Sequence, residues 1–274
     1  MQPQPRTAAA LAALLAIVAL AGCKVRSGSS GSSQRAERSQ GGEVSTTPSD
    51  TNPISALRSV GSYLRGLKEF SLDVDATKDE PLNNDQNLQF GGTVHYDVRT
   101  PDAMRVELRT DRKHRDYVYD GKTLTVYAPR TGYYATVPAP PTIRALLDTA
   151  TARYDLEFPV ADIFLWGTER ADLDSIKASA YVGPANIRGR DCDQFTYRQS
   201  GVDWQLWIER GSRPLPCKLV ITTTSVPSRP EYSAVLTWDL SPKLGASTFA
   251  FQPPKDAHPI KLRDFMDTTA LGAK

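Results

Sequence analysis

From Phe70 onward the chain keeps returning to one pattern: short runs in which apolar and polar residues alternate, separated by turn residues. Phe70, Leu72 and Val74 face one way while Ser71, Asp73 and Asp75 face the other, the period of a strand with one buried face. The pattern recurs at Phe90 to Val98, at Met104, Val106 and Leu108, at Tyr117 and Tyr119, and at Tyr133 to Val137. It resumes after Ile176 at Cys192 to Gln199, Asp203 to Arg210, Pro216 to Thr223, Tyr232 to Leu240 and Thr248 to Phe251. Asp120-Gly121 supplies the positive backbone angles of a tight hairpin, and Gly91-Gly92 reads as a β-bulge. Three stretches break the alternation. Residues 53 to 68 open with Pro after Asn52 and place Ile54, Leu57, Val60 and Leu64 at helical spacing. Ile143, Leu146, Leu147, Ala150 and Tyr154 mark a second helix behind Pro138 to Pro141, and Val160 to Trp166 a short third. These elements define an α+β, mainly antiparallel fold: a meander of about ten or eleven strands curling around two or three helices that cover its apolar face.

The first 52 residues lie outside that pattern. Thr7 to Ala21 form an apolar run behind Arg6, too short to span a membrane and suited to a secretory signal. It ends in Leu20-Ala21-Gly22-Cys23, which looks like the lipobox of bacterial lipoproteins and makes Cys23 the lipidated N-terminus. Ala19-Leu20-Ala21 also fits an ordinary cleavage site, which leaves a soluble periplasmic protein as the alternative. Several acyl chains on Cys23 anchor a protein stably where one does not. Lys24 rather than Asp follows Cys23, which by resemblance to the sorting rule of diderm bacteria favours the periplasmic face of the outer membrane. Lys24 to Asn52 hold eight Ser, four Gly and no aromatic residue, a composition that cannot bury enough apolar area to offset chain entropy. The expected organisation is therefore a signal over residues 1–22, a lipidated Cys with a flexible linker over 23–52, and one β domain over 53–274.

Four stretches carry a resemblance. Leu88-Gln89-Phe90-Gly91-Gly92-Thr93-Val94, Tyr119-Asp120-Gly121-Lys122-Thr123-Leu124, Tyr133 to Ile143 and Gly201 to Glu209 resemble the predicted periplasmic proteins called domain of unknown function 2092. The similarity runs from about Leu57 to Pro254 and brings no catalytic residues with it. The resemblance implies a fold like that of the outer-membrane lipoprotein carriers, a half-open, strongly curved sheet that wraps helices and encloses an apolar cavity for acyl chains.

Chemistry-bearing motifs are scarce. His95, His114 and His258 stand far apart, without H-E-x-x-H, G-x-S-x-G or S-x-x-K, so no catalytic, metal or cofactor site is expected. The segment 78–87, KDEPLNNDQN, lacks the Gly of a calcium-coordinating loop and reads as a solvated hairpin tip, and 109–115, RTDRKHR, as a charged turn that discourages edge pairing, with contact to an anionic headgroup as the functional alternative. Lys plus Arg number 33 against 31 Asp plus Glu, too even a balance for a nucleic-acid binder. With Cys23 carrying lipid, Cys192 and Cys217 remain as a pair for a disulfide in an oxidising compartment. Phe70, Leu72, Phe90, Tyr96, Tyr117, Tyr119, Phe195, Tyr197, Trp204, Leu206 and Ile208 are the candidates to line the concave side of the sheet, with ordinary core packing as the competing role. Trp207 falls on the opposite face from Trp204. The expected function is a lipid-anchored envelope protein that binds an acyl chain or another hydrophobic ligand without catalysis. An assembly module that presents its surface to an envelope protein partner is the alternative.

Overall fold

The computed structural model describes residues 51–156, 158–164 and 173–266. The signal, Cys23 and the linker as far as Asp50 lie outside the described residues, as do Leu165 and Trp166 of the expected third helix.

Helix α1 spans Pro53–Gly66. Its start follows from Asn52, whose side-chain oxygen accepts from the amides of Ile54 and Ser55 at 3.1 and 2.9 Å, and from Pro53, which has no amide to leave unpaired. Six strands follow: β1 (Glu69–Pro81), β2 (Asn87–Arg99), β3 (Ala103–Thr110), β4 (His114–Tyr119), β5 (Thr123–Ala128) and β6 (Tyr133–Pro138). Helix α2 (Ile143–Tyr154) is capped by the Thr142 hydroxyl, which accepts from the Ala145 amide, and stops at Asp155 in the left-handed conformation. Five strands complete the main sheet: β7 (Ala178–Ile187), β8 (Arg190–Gln199), β9 (Val202–Glu209), β10 (Pro216–Thr223) and β11 (Glu231–Asp239). A two-residue β12 (His258–Pro259) pairs in parallel with β6. No described helix is long and apolar enough to cross a membrane.

All twelve strands belong to one open sheet, in the order β12-β6-β5-β4-β3-β2-β1-β11-β10-β9-β8-β7. Two antiparallel meanders are thus sewn together where β1 pairs with β11, and the segment carrying α2 joins strands near opposite edges. Laid flat, twelve strands at ~4.8 Å would span about 50 Å. A 14-residue helix is only about 21 Å long. Yet one buried cluster joins α1 and α2 to strands from β5 at one side to β8 at the other, so the sheet curls around its helices. The tip of the β7–β8 hairpin coils the other way: Arg188 there reaches Asp75 of β1 at 2.5 Å on the outer face, past β9, β10 and β11.

The α+β, mainly antiparallel architecture agrees with the alternation in the sequence, with twelve strands in place of ten or eleven. Three local expectations are corrected. Thr248 to Phe251 is not a strand: Ala246–Phe249 form a 3-10 turn closed by the Thr248 amide on the Gly245 carbonyl, since so short an apolar run fits a helical turn as well as a strand. The described part of the third helix is a 3-10 turn, Ala161–Phe164. Gly91-Gly92 forms no bulge, because β1–β2 pairing runs without a break from Glu69↔Arg99 to Pro81↔Asn87. Gly92 serves close approach instead: a Cβ there would lie 2.8 Å from the Arg109 carbonyl oxygen of β3. At Asp120-Gly121 the expected turn is present, with Gly121 at φ +87° and the Asp120 carboxylate accepting from the amides of Lys122 and Thr123.

Candidate functional site

The inner face of the sheet is mostly filled. Leu72, Tyr96, Tyr117, Tyr119, Phe195, Tyr197 and Leu206 are buried in the common core with Leu57, Val60 and Leu146 of the helices. Trp204 stacks on Tyr197 with ring centroids 4.0 Å apart, and its indole donates to the Gln199 side chain. Ile208 is likewise buried. Phe90 sits apart near the far end of the β1–β2 hairpin, with the Arg112 guanidinium 3.9 Å over its ring.

An opening remains where α1 and α2 meet the first three strands. This cavity of about 340 Å³ is walled by Leu64 of α1, Phe70, Val98 and Met104 of β1 to β3, and Ile143 and Leu147 of α2. Thr100, Pro101 and Thr142 contribute polar atoms, and the exposed Arg65 and Arg144 stand at its edge. Its volume is at the lower end of small-molecule sites, ~300–1,000 Å³, and its lining is of the apolar kind those sites share. Of the aromatic candidates read from the sequence, Phe70 belongs to this lining. The other walls are aliphatic, from elements up to about 80 residues apart in the chain, and only their helical or strand periodicity marked them as buried. Two other hollows, about 460 and 400 Å³, carry Lys68, Glu69 and Arg99 in one and Arg190, Glu209 and Arg213 in the other, and offer an apolar ligand little to gain.

The outer face is chemically different. A groove of about 190 Å³ is lined by Asp73, Asp75, His95, Glu107, Arg109 and Arg188 together with Val74, Val94 and Val235. His95 lies with Nδ1 2.7 Å from Asp73 and Nε2 3.2 Å from Asp97. Partial burial works to lower its pKa, but the hydrogen bond to Asp73 and the charges of Asp97 and Asp73 outweigh it and the value is raised. Ser71 donates to Asp97 at 2.6 Å and not to the imidazole, so the two do not make a nucleophile–base pair.

Cys192 and Cys217 are joined by a disulfide that crosses β9 on this outer face. Strands two apart in a flat sheet lie ~9.6 Å from each other, more than a disulfide spans. The pairing of β9 with β10 slips between Pro216 and Lys218, which swings Cys217 out and brings the Cα atoms to 6.9 Å. Trp207 packs with this bridge and Val220, under the Lys218 ammonium.

Comparison with known proteins gives two kinds of match. The family model described as predicted periplasmic protein (DUF2092) matches residues 54–263. Among solved structures, the chain is similar to the lipoprotein LppX of Mycobacterium tuberculosis, with 12% identity, a TM-score of 0.44, and coverage of 70% of this chain and 97% of that one. LprF of Mycobacterium bovis matches with 14% identity and a TM-score of 0.40, covering 76% of this chain and 99% of that one. The complex of MucA and MucB from Pseudomonas aeruginosa matches with 14% identity and a TM-score of 0.40, covering 73% and 60%. No curated protein matches the chain.

Proposed function

Because the chain belongs to the DUF2092 family of predicted periplasmic proteins, we propose that it is a lipid-anchored binder of one acyl chain or a similar hydrophobic ligand, acting without catalysis at the periplasmic face of the outer membrane. The observation that carries this reading is the cavity between α1, α2 and β1 to β3, with aliphatic and aromatic walls and a few polar atoms near Thr100 and Thr142. An apolar chain entering it exchanges water for Leu64, Phe70, Val98, Met104 and Leu147, a gain of ~25 cal/mol per Å² of apolar surface removed from water. Cys23 is the proposed anchor, and residues 24–52 the linker that lets the domain stand off the bilayer.

Native mass spectrometry and lipid extraction of protein purified from its own envelope test the reading. The expected result is a hydrophobic compound in about equal proportion to protein, lost in Ile143→Trp, which adds bulk at the cavity wall. Wild-type protein that emerges empty and takes up no acyl probe counts against it. The alternative, an assembly module without small ligand, draws on β7, an open edge strand on which Val182 is 54% exposed. A stoichiometric envelope partner recovered with ligand-free protein favours that alternative.

A further inference from the structure

The apolar cavity shares a wall with the neighbouring hollow of about 460 Å³, because Thr100 lines both. The last turn of α1 runs from one to the other, with Leu64 and Arg65 in the lining of the cavity and Gly66 in that of the hollow. Backbone bonds gather three basic residues around this shared wall. The Thr100 amide donates to the Lys68 carbonyl at 2.8 Å, Arg99 precedes Thr100 at the end of β2, and the amide of Ile143, next to Arg144, donates to the Pro101 carbonyl at 2.8 Å.

The charges there do not balance. Together the two linings hold four cations, Arg65, Lys68, Arg99 and Arg144, against one carboxylate, Glu69, in a chain whose formal charge is only +2. Elsewhere on the domain arginines come with a carboxylate, as Arg105 does with Asp116, Arg112 with Glu80 and Arg198 with Asp203. Among the described residues Lys68, Arg99 and Arg144 have no such ion pair. Arg99 lies instead with its guanidinium 4.8 Å over the Phe249 ring, and stacking leaves its in-plane N–H donors available. Arg144 stands in the first turn of α2, which has no acidic residue, and a cation there is set against the positive end of the helix dipole. Helix stability gives no reason for it at that place.

We propose that this site takes a single-chain amphiphile with an anionic head, carboxylate or phosphate: the chain fills the apolar cavity, and the head lies across Thr100 in the hollow that holds Lys68 and Arg99, with Arg144 at the rim. The inference rests on the reading of the cavity as an acyl site and adds the head group that the chain carries. An ammonium and guanidinium groups bond either kind of anionic oxygen, and the apolar wall on the other side strengthens the attraction. The volume suits one short chain: at roughly 30 Å³ for each unit the size of a water, 340 Å³ holds about eleven carbons.

Isothermal titration calorimetry of the delipidated full-length chain compares decanoate, decyl phosphate and decanol, which share one chain and differ in the head. Both anions are expected to bind about tenfold or more tighter than the alcohol at low salt, with the gap narrowing as salt screens it, and the tighter anion names the head group. Lys68→Gln and Arg144→Gln, both at exposed positions, each narrow the gap roughly threefold and leave decanol binding as it was. Lys113→Gln, the same loss of charge in the turn after β3, leaves the gap unchanged. Decanol bound as tightly as the anions overturns the anionic head while the acyl cavity stands. Failure of all three compounds to bind overturns the cavity reading itself, and the head group with it. A gap that survives both substitutions and rising salt refutes the role given to the cations.

Discussion

Three buried tyrosines show how single residues fix this fold. The Tyr197 hydroxyl donates to the Pro53 carbonyl at 2.9 Å, Tyr119 to Pro140 at 2.5 Å, and Tyr96 to Pro159. These prolines stand at the first turn of α1, just before α2, and just before the 3-10 turn at Ala161, so each phenol ties a helix-bearing segment to a different part of the sheet. A buried phenol needs such a partner, and the aromatic body fills the space around it. Tyrosines that suggest a ligand cavity from their spacing therefore act here as tethers. Burial first, and the charges of Asp102 and Asp120 next, push the Tyr119 phenol up to about 12. An acid whose pKa is higher folded than unfolded supports folding fully below its unfolded value of ~10 and loses that support as the pH rises towards the folded one. Denaturant unfolding between pH 9 and 12 is expected to show falling stability, with a shallower fall in Tyr119→Phe. Identical slopes contradict this account. Tyr232, also pushed up to about 12 by burial, leaves part of the fall in place in the variant.

At the scale of elements, the outer-face disulfide does what hydrogen bonding along one strand pair cannot. It fixes β8 to β10 across β9 at the place where the β10 register slips. The closed loop has a sequence separation of 25, for which loop-closure entropy gives about 3 kcal/mol of stabilisation. Cys192→Ala with Cys217→Ala is expected to lower unfolding stability by roughly that amount, and reduction of the wild type to have a similar effect; a change under about 1 kcal/mol refutes the estimate. The pair was open to sequence reasoning because two cysteines remained once Cys23 was set aside. The slip was not, because Pro216 reads in the sequence as the first residue of a strand and does not reveal the register with β9. Gly91-Gly92 shows the converse, a sequence signal for a bulge that the neighbouring backbone uses for close contact.

The whole molecule is held by a connection that local patterns do not contain. β1 pairs with β2 through a short turn and with β11 from about 160 residues away, and that second pairing turns two meanders into one sheet. The formal charge is only +2, so electrostatic attraction gives such a body little hold on a membrane and the proposed anchor is lipid. Cys23→Ala is accordingly expected to move the protein from the membrane to the soluble fraction of the envelope; unchanged membrane fractionation removes the anchor from the proposal.

What the sequence by itself determined is whatever repeats locally: most of the strands, through alternation with period two; the two main helices, through their apolar stripes and, for α1, the Asn52-Pro53 start; and the Asp120-Gly121 turn. Only the tertiary structure decided the order of strands, the curl of the sheet and the place of the cavity. The physical reason is that each depends on which side chains meet across the core. Large aromatic rings such as Tyr96, Phe195 and Tyr197 fill the space they face, so the opening lies instead where aliphatic Leu64, Val98, Met104 and Leu147 oppose one another from four separate elements.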